Sequence, residues 1–190
     1  MTGAQAAQRV LNSAGIYDVR IQHVAGDLTD HYDPRNKTLN LSDSVYGSAS
    51  VAAVGVAAHE CGHAIQHQQG YSPLNLRSAL VPVANLGSTA AWPLIILGIL
   101  FGGAGSLICK IGILLFSAAV LFQIVTLPVE FNASARAVRI LGDTGILSEQ
   151  ELPYTKKVLK AAALTYVAGA AAAILQLLRL VLLAGGRNRD

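Results

Sequence analysis

Two histidines and a glutamate stand close together in the pentapeptide His59-Glu60-Cys61-Gly62-His63. Residues four positions apart share one face of a helix, so both imidazoles could reach a single metal ion. Glu60 would then lie near the open coordination position, where its carboxylate could take a proton from a water molecule. The pattern predicts a zinc site with His59 and His63 as ligands and Glu60 as the catalytic base.

The alternative is that these residues lie on a helix without binding a metal, because so short a pattern also arises by chance. Residues 53–58, with the sequence AVGVAA, are small and apolar on every side, which indicates a buried helix. Two imidazoles and a carboxylate would be costly to bury there without a purpose. The surroundings therefore favour the metal site.

His67 extends the row of histidines by one more helical turn. The helix rises about 12 Å between His59 and His67, whereas a Zn–N bond measures about 2.0–2.1 Å. One ion can hardly bind both residues on an unbroken helix. His67 is therefore predicted to lie outside the ligand set, behind the ligands or at the surface.

The third ligand must come from elsewhere in the chain. Glu130 stands just beyond an apolar stretch, where Pro128 could open a helix with Glu130 in its first turn. A carboxylate is also favoured at such a position without any metal. We favour Glu130 as a ligand, because zinc enzymes of this kind complete a two-histidine set with a glutamate. Weaker alternatives remain at His23, His31 and Asp143.

Local patterns in the first third of the chain predict short elements around this motif. Residues 3–14 have helical apolar spacing, and residues 19–24 and 37–41 alternate as strands do, with a loop over 26–34 between them. These two strands are expected to form a small antiparallel sheet. A helix over 48–69, capped by a serine and ended by a glycine, would carry the metal motif.

The composition indicates a membrane protein. Hydrophobic residues make up 53% of the 190 residues and charged residues 13%, about half the charged share of a soluble domain. The mean hydropathy is +0.47. A spanning helix needs about 20 apolar residues, and three stretches qualify: Leu80–Gly103, Ser106–Val129 and Ala161–Ala184. The predicted fold is mainly α with a small antiparallel β-sheet, zincin-like, with about three transmembrane helices.

One domain over residues 1–190 fits this length. Residues 1–78 and 128–160 would form the catalytic side, because a hairpin of the first two spans returns the chain to the side from which it started. This topology would bring Glu130 back toward His59 and His63. The N-terminus has no apolar core of a signal peptide, and Cys61 and Cys109 are not expected to pair. The small net charge gives nucleic-acid binding no support.

Several segments together resemble the YugP family of neutral zinc metallopeptidases of bacterial membranes. They are HECGHAIQH at 59–67, YDPRNKTLNLS at 32–42, EFNASARA at 130–137 and AAALTYVAGA at 161–170. The resemblance covers essentially the whole chain and implies bound zinc (Zn²⁺), proteolysis, and a site made by His59 and His63 with Glu60 as base. A more distant similarity to HtpX-type membrane proteases implies Glu130 as the third ligand.

The sequence departs from these families in two respects. Glutamate ligands of this class are often followed four residues later by an aspartate that orients a ligand histidine, and here that residue is Ser134. Family members usually begin with one further apolar helix. The resemblance thus raises the expectation that such a helix has been lost from the N-terminus of this sequence.

The predicted function is a zinc-dependent membrane endopeptidase that hydrolyses peptide bonds with a metal-activated water. A peptide substrate would add as a strand along the edge formed by residues 37–41, and Asn132 or Arg136 could stabilise the oxyanion. The alternative is a metal-binding membrane scaffold or chaperone without catalysis, for which Glu60 would have no use. A transporter is less favoured, since Lys110 and Arg179 lie near span ends.

The expected location is the bacterial cell membrane, crossed several times, with the lipid bilayer and a protein substrate as partners. A homo-oligomer or a membrane partner is compatible with the sequence. Positive charge marks cytoplasmic loops, and the catalytic side carries more of it than the opposite side. The first set is Arg77, Arg136, Arg139, Lys156, Lys157 and Lys160, and the second is Lys110, Arg187 and Arg189. The active site is therefore predicted to face the cytoplasm.

Overall fold

The structure, a computed structural model, describes residues 1–185 and is mainly helical. Six helices and three strands follow one another as α1 Gly3–Ser13, β1 Arg20–His23, β2 His31–Asp33, β3 Thr38–Leu41, α2 Asp43–Tyr46, α3 Val51–Gln68, α4 Ser72–Gly102, α5 Leu107–Asp143 and α6 Leu152–Gly185. This confirms the predicted fold class of helices with one small sheet. Arg187 and Arg189, used above for the charge count, lie outside the described residues.

The described residues form two compact units. The first unit combines Met1–Leu74 with Pro128–Leu164, and the second combines Asn75–Leu127 with the described chain from Thr165 on. All residues of the predicted metal site belong to the first unit. The description of the whole chain as one membrane metallopeptidase domain stays a prediction.

Helix α1 begins at a capping box and packs its apolar face into the first unit. The Thr2 side chain accepts a hydrogen bond from the Gln5 backbone N–H, and the Gln5 side chain accepts one from the Thr2 N–H. Four residues at helical spacing are fully buried in the core of this unit, namely Ala6, Ala7, Val10 and Leu11. The predicted helix over 3–14 is thus present with nearly the same bounds.

The sheet is mixed, which corrects the prediction of an antiparallel sheet. Its strand order is β1-β3-β2, with β1 parallel and β2 antiparallel to β3. Both predicted strands exist, but they pair in parallel, because β2 arises within the predicted loop and takes the antiparallel place beside β3. A tight turn makes this possible: the Asp33 carboxylate accepts hydrogen bonds from the Arg35 N–H and the Asn36 side chain.

Helix α3 carries the predicted metal motif through the middle of the first unit. The Ser50 side chain caps it by accepting a hydrogen bond from the Ala53 N–H, and Gly70 follows its end with a φ of +62°. Twelve of its residues are buried. The predicted helix over 48–69 is therefore confirmed apart from its first residues.

Three helices, α4, α5 and α6, are long and apolar enough to cross a membrane among the described residues. Large apolar side chains stand exposed along them, as expected of a surface that faces lipid. Within the second unit, α4 and α5 form a hairpin whose turn contains Gly103, and Gly98 lets the backbone of Cys109 approach closely. The predicted three spans are thus present as longer helices.

Pro128 does not open a helix, contrary to the prediction. It lies inside α5, which runs without a break from Leu107 to Asp143. A proline removes one backbone hydrogen bond, but helices that cross membranes tolerate this. Glu130 is therefore a residue in the middle of a long helix and not a residue of a first turn.

Candidate metal centre

Three side chains converge where α3 meets α5. The Nε2 atom of His59 lies 3.2 Å from Oε2 of Glu130, and Nε2 of His63 lies 3.7 Å from the same oxygen. The two imidazole rings stand edge to face, with their centroids 4.8 Å apart. One donor atom from each residue lies within 4.8 Å of the others. We call His59, His63 and Glu130 the metal group.

The metal group has the donor atoms and the spacing that zinc requires. Two imidazole nitrogens and one carboxylate oxygen form a known catalytic zinc set with one position left open. Bonds of about 2.0–2.2 Å at tetrahedral angles place neighbouring ligand atoms roughly 3.3–3.5 Å apart. The two nitrogen–oxygen distances of 3.2 and 3.7 Å are close to this range. The donor atoms and these two distances are therefore compatible with one bound zinc ion.

A close helix contact sets this spacing. A Cβ atom on Gly62 would come within 2.6 Å of the Ala133 carbonyl oxygen, so only glycine lets α3 approach α5 to this distance. On α5, Val129, Ala133 and Ala137 are fully buried. They recur every four residues and bring Glu130 to the height of the two histidines.

Gly62→Ala should force the two helices apart, because the clash is with backbone and not with a flexible side chain. We expect the unfolding free energy to fall by about 1–3 kcal/mol and zinc affinity to fall with it. Thermal unfolding with and without zinc would measure both effects. Gly47→Ala is the matched control, since a Cβ there meets no atom within 4 Å. Unchanged zinc binding in Gly62→Ala would contradict this account of the spacing.

Ser134 contacts the nitrogen of His59 that lies away from Glu130. The Ser134 hydroxyl oxygen lies 3.1 Å from Nδ1 of His59, and Ser134 stands one turn after Glu130 on α5. A second partner on the far nitrogen fixes the ring and leaves Nε2 for the metal. Serine thus occupies the place that aspartate often has in such sites and still contacts the ring.

His63 is held by Gln66, a residue that the sequence analysis missed. The side-chain oxygen of Gln66 lies 3.0 Å from Nδ1 of His63, and its amide nitrogen donates to the Val129 carbonyl and the Asn132 side chain, both at 2.9 Å. Gln66 is completely buried. Since its oxygen can only accept, Nδ1 of His63 carries the proton and Nε2 is free for a metal. Its place three residues after His63 is a local signal, but it does not show the partners on α5 that define its role.

The environment also shifts the pKa of His63. Burial of the ring acts to lower the pKa, but the hydrogen bond to Glu130 and the charges of Glu60 and Glu130 outweigh it and raise the pKa from its ordinary value.

Comparison with known proteins now bears on this arrangement. The sequence model of the family described as "Putative neutral zinc metallopeptidase" matches residues 1–185. The chain belongs to this family. It is also 50% identical over 190 residues to a protein of Bacillus subtilis (strain 168) described as "Putative membrane protease YugP", which covers 100% of this chain and 84% of the relative. No solved structure matches the chain. The resemblance found in the sequence is thereby confirmed.

In this family member, Glu60 is buried but makes no bond of its own. It is 9% exposed, and across residues 1–185 no hydrogen bond or ion pair involves its carboxylate. Its oxygens are not among the described side-chain atoms that are both sealed from solvent and without a hydrogen bond, so its lone pairs remain available to a ligand or a water molecule.

The other histidines lie away from the metal group. His67 Nδ1 is 2.9 Å from the Tyr32 hydroxyl. Burial and the charges of Asp18 and Asp33 raise the pKa of Tyr32 to about 12, so this hydroxyl keeps its proton. His67 is thus outside the metal group. The remaining candidates pair elsewhere: His23 with Asp43, His31 with Thr29 and Asn40, and Asp143 with Arg139.

Cys61 lies inside the motif but faces away from the metal group. Its sulfur donates to the Ala7 carbonyl at 3.6 Å, and it is completely buried against α1. Burial and the charge of Glu60 raise its pKa well above the ordinary value. Cys61 and Cys109 are both free, which agrees with the expectation that they do not pair.

Proposed function

We propose that this protein is a zinc-dependent endopeptidase of the membrane, with His59, His63 and Glu130 as metal ligands and Glu60 as catalytic base. The observation that carries the proposal is the convergence of three donor atoms within 4.8 Å. The unpaired Glu60 carboxylate adds support, since a metal site without catalysis has no use for it.

Each residue would have a separate task. Zinc, when bound, polarises a water molecule and the carbonyl of the scissile peptide bond. Glu60 accepts a proton from that water at its carboxylate and can pass it to the leaving amine. Ser134 and Gln66 hold the two imidazoles so that their Nε2 atoms face the metal.

Asn132 and Arg136, considered above for the oxyanion, are engaged in holding this site together. Asn132 accepts hydrogen bonds from Gln66 and from Arg136, the latter at 2.7 Å, and Arg136 also donates to Gln69 at 2.6 Å. These bonds favour a positioning role for both residues.

The substrate strand needs a different edge from the one expected. Strand β3 lies in the centre of the sheet, paired on both sides, so residues 37–41 offer no free edge. Strand β2 is paired on one side only, and its Tyr32 contacts His67, one turn after His63 on α3. We therefore assign substrate binding to the β2 edge, where a peptide can add by backbone hydrogen bonds.

Zinc analysis of the purified protein tests the proposal directly. We expect about one zinc per chain, lost almost wholly from a His59→Ala, His63→Ala double variant, because both imidazoles are removed from one face of α3. Casein hydrolysis by the wild type should be lost when zinc is removed and should return when zinc is added back. The double variant should not hydrolyse casein even with added zinc. His23→Ala, His31→Ala serves as control and should keep its zinc. Full occupancy in the first variant would refute the assignment.

We further propose that the active site faces the cytoplasm of a bacterial cell. Arg136, Arg139, Lys156, Lys157 and Lys160 belong to the same compact unit as the metal group, and basic residues near span ends favour the cytoplasmic side. The turn between α4 and α5 would then lie outside.

Labelling of single cysteines in whole cells would test this orientation, after Cys61 and Cys109 have been replaced. Ser148→Cys, in the exposed turn before α6, should be protected from a membrane-impermeant maleimide. Gly105→Cys, where a side chain meets no atom within 4 Å, should be labelled. The reverse pattern would place the site outside the cell.

A further inference from the structure

A groove on the first unit, between α5 and α6, has a volume of about 640 Å³ and belongs to none of the elements proposed to bind substrate. We call it the interfacial groove and define it by Phe131, Ala135 and Arg139 of α5 with Lys156, Lys160 and Ala163 of α6. Its volume lies within the range of small-molecule sites. It therefore has room for a ligand larger than a simple ion.

The interfacial groove has two cations at one end and mainly apolar side chains at the other, with Lys160 between the two ends. Arg139 stands eight residues after Phe131, about 12 Å further along α5, and Lys156 stands about 10 Å before Ala163 along α6. Because the first unit joins these helices in opposite directions, the cations Arg139 and Lys156 share one end, and Phe131 and Ala163 share the other. The groove is thus amphipathic along its length.

This polarity agrees with the direction of the membrane. The apolar stretch of α5 ends at Val129, two residues before Phe131, and that of α6 begins at Ala161, two residues before Ala163. The apolar end of the groove therefore borders the predicted bilayer, while the cationic end points away from it. A lipid that entered from the bilayer would meet apolar surface first and positive charge last.

Two of the three cations of the groove, Lys156 and Lys160, have no acidic partner among the described residues. The lining of the groove contains three basic residues and no acidic one. Lys156 and Lys160 form no ion pair within residues 1–185, and Arg139 has only a long contact of 3.4 Å to the exposed Asp143. Basic residues beside a transmembrane helix attract anionic lipid headgroups.

We propose that the interfacial groove binds one anionic phospholipid, with its phosphate between Arg139, Lys156 and Lys160 and its acyl chains along Phe131 and Ala163. The occupant has to be both anionic and apolar, because each end of the groove matches one half of such a molecule. Neither the zinc ligands nor Glu60 line the groove, whereas Ser134, which contacts His59, does. Lipid binding is therefore measured separately from peptide hydrolysis.

Native mass spectrometry of the full-length protein in neutral detergent would test this, with phosphatidylglycerol and phosphatidylcholine of equal acyl chains as probes. We expect one phosphatidylglycerol per chain to be retained in preference to phosphatidylcholine. Lys156→Ala, Lys160→Ala should weaken phosphatidylglycerol binding by roughly 25-fold, about five-fold per lysine. Ala135→Trp should weaken it too by filling the groove from an exposed position.

Lys157→Ala is the matched control, because Lys157 has the same charge and neighbours in sequence but lies over the Tyr154 ring and not in the groove. It should bind phosphatidylglycerol like the wild type, and an equal loss in this variant would refute a specific site. Equal retention of both lipids would refute it as well. Displacement by glycerol phosphate would indicate a phosphate site, and displacement by an acidic peptide a peptide site; either result would overturn the proposal.

Discussion

Glu60→Gln should leave zinc bound and lower peptide hydrolysis by roughly 10²-fold or more, the usual contribution of a general base. The substitution keeps the size and shape of the side chain but removes its ability to accept a proton. The ligand atoms belong to other residues, so the metal site stays intact. Zinc content and casein hydrolysis measured on the same preparation would separate the two effects.

The control for this prediction is Glu149→Gln, which makes the same chemical change on an exposed residue of the turn before α6. It should affect neither zinc nor hydrolysis. If Glu60→Gln retained the hydrolysis rate of the wild type while zinc stayed bound, another residue would have to act as base. If neither the wild type nor Glu60→Gln hydrolysed peptides, the alternative of a metal-binding scaffold would gain support.

The helices could be predicted from the sequence because their signals are local. The Thr2–Gln5 capping box, the Ser50 cap and the glycines after α1 and α3 each act within a few residues of the helix end. The spacing of His59 and His63 likewise follows from one helical turn. Features of this kind need no knowledge of the rest of the fold.

The sheet and the helix break were predicted wrongly because they depend on distant contacts. Strand β2 has only three residues, and it forms because β3 pairs with it through the turn at Asp33. The parallel partnership of β1 and β3 joins residues that lie 18 positions apart, such as Arg20 and Thr38. Pro128 looked like a helix start, but the continuing helix outweighed the one hydrogen bond that it lacks.

The support around the metal group was predicted only in part. Ser134 could be placed from the resemblance, since it follows Glu130 by one turn. Gln66 could not, because its role rests on bonds to Val129 and Asn132, more than 60 residues away. A buried glutamine is recognisable only when its partners are known, since a polar side chain is buried only where its hydrogen bonds are satisfied.

Glu130→Ala should abolish stable zinc binding, because it removes a ligand and leaves two imidazoles to hold the ion. Loss of a residue that hydrogen-bonds a metal ligand already lowers metal affinity by about 10–100-fold. Removal of the ligand itself should lower it further. Hydrolysis should be lost with the metal, in contrast to Glu60→Gln, which loses hydrolysis alone. Competition with a chelator of known affinity would measure the change, and thermal unfolding would show whether the variant is folded.

Asp143→Ala is the matched control for Glu130→Ala, since it removes a carboxylate from the same helix and tests the rival ligand. Asp143 is exposed and 3.4 Å from Arg139, so its loss should leave zinc affinity unchanged. Zinc binding at wild-type strength in Glu130→Ala would contradict the ligand assignment. The same result with weak binding in Asp143→Ala would move the third ligand to Asp143. Only the expected pair of results, zinc lost in one variant and kept in the other, agrees with a metal held between α3 and α5.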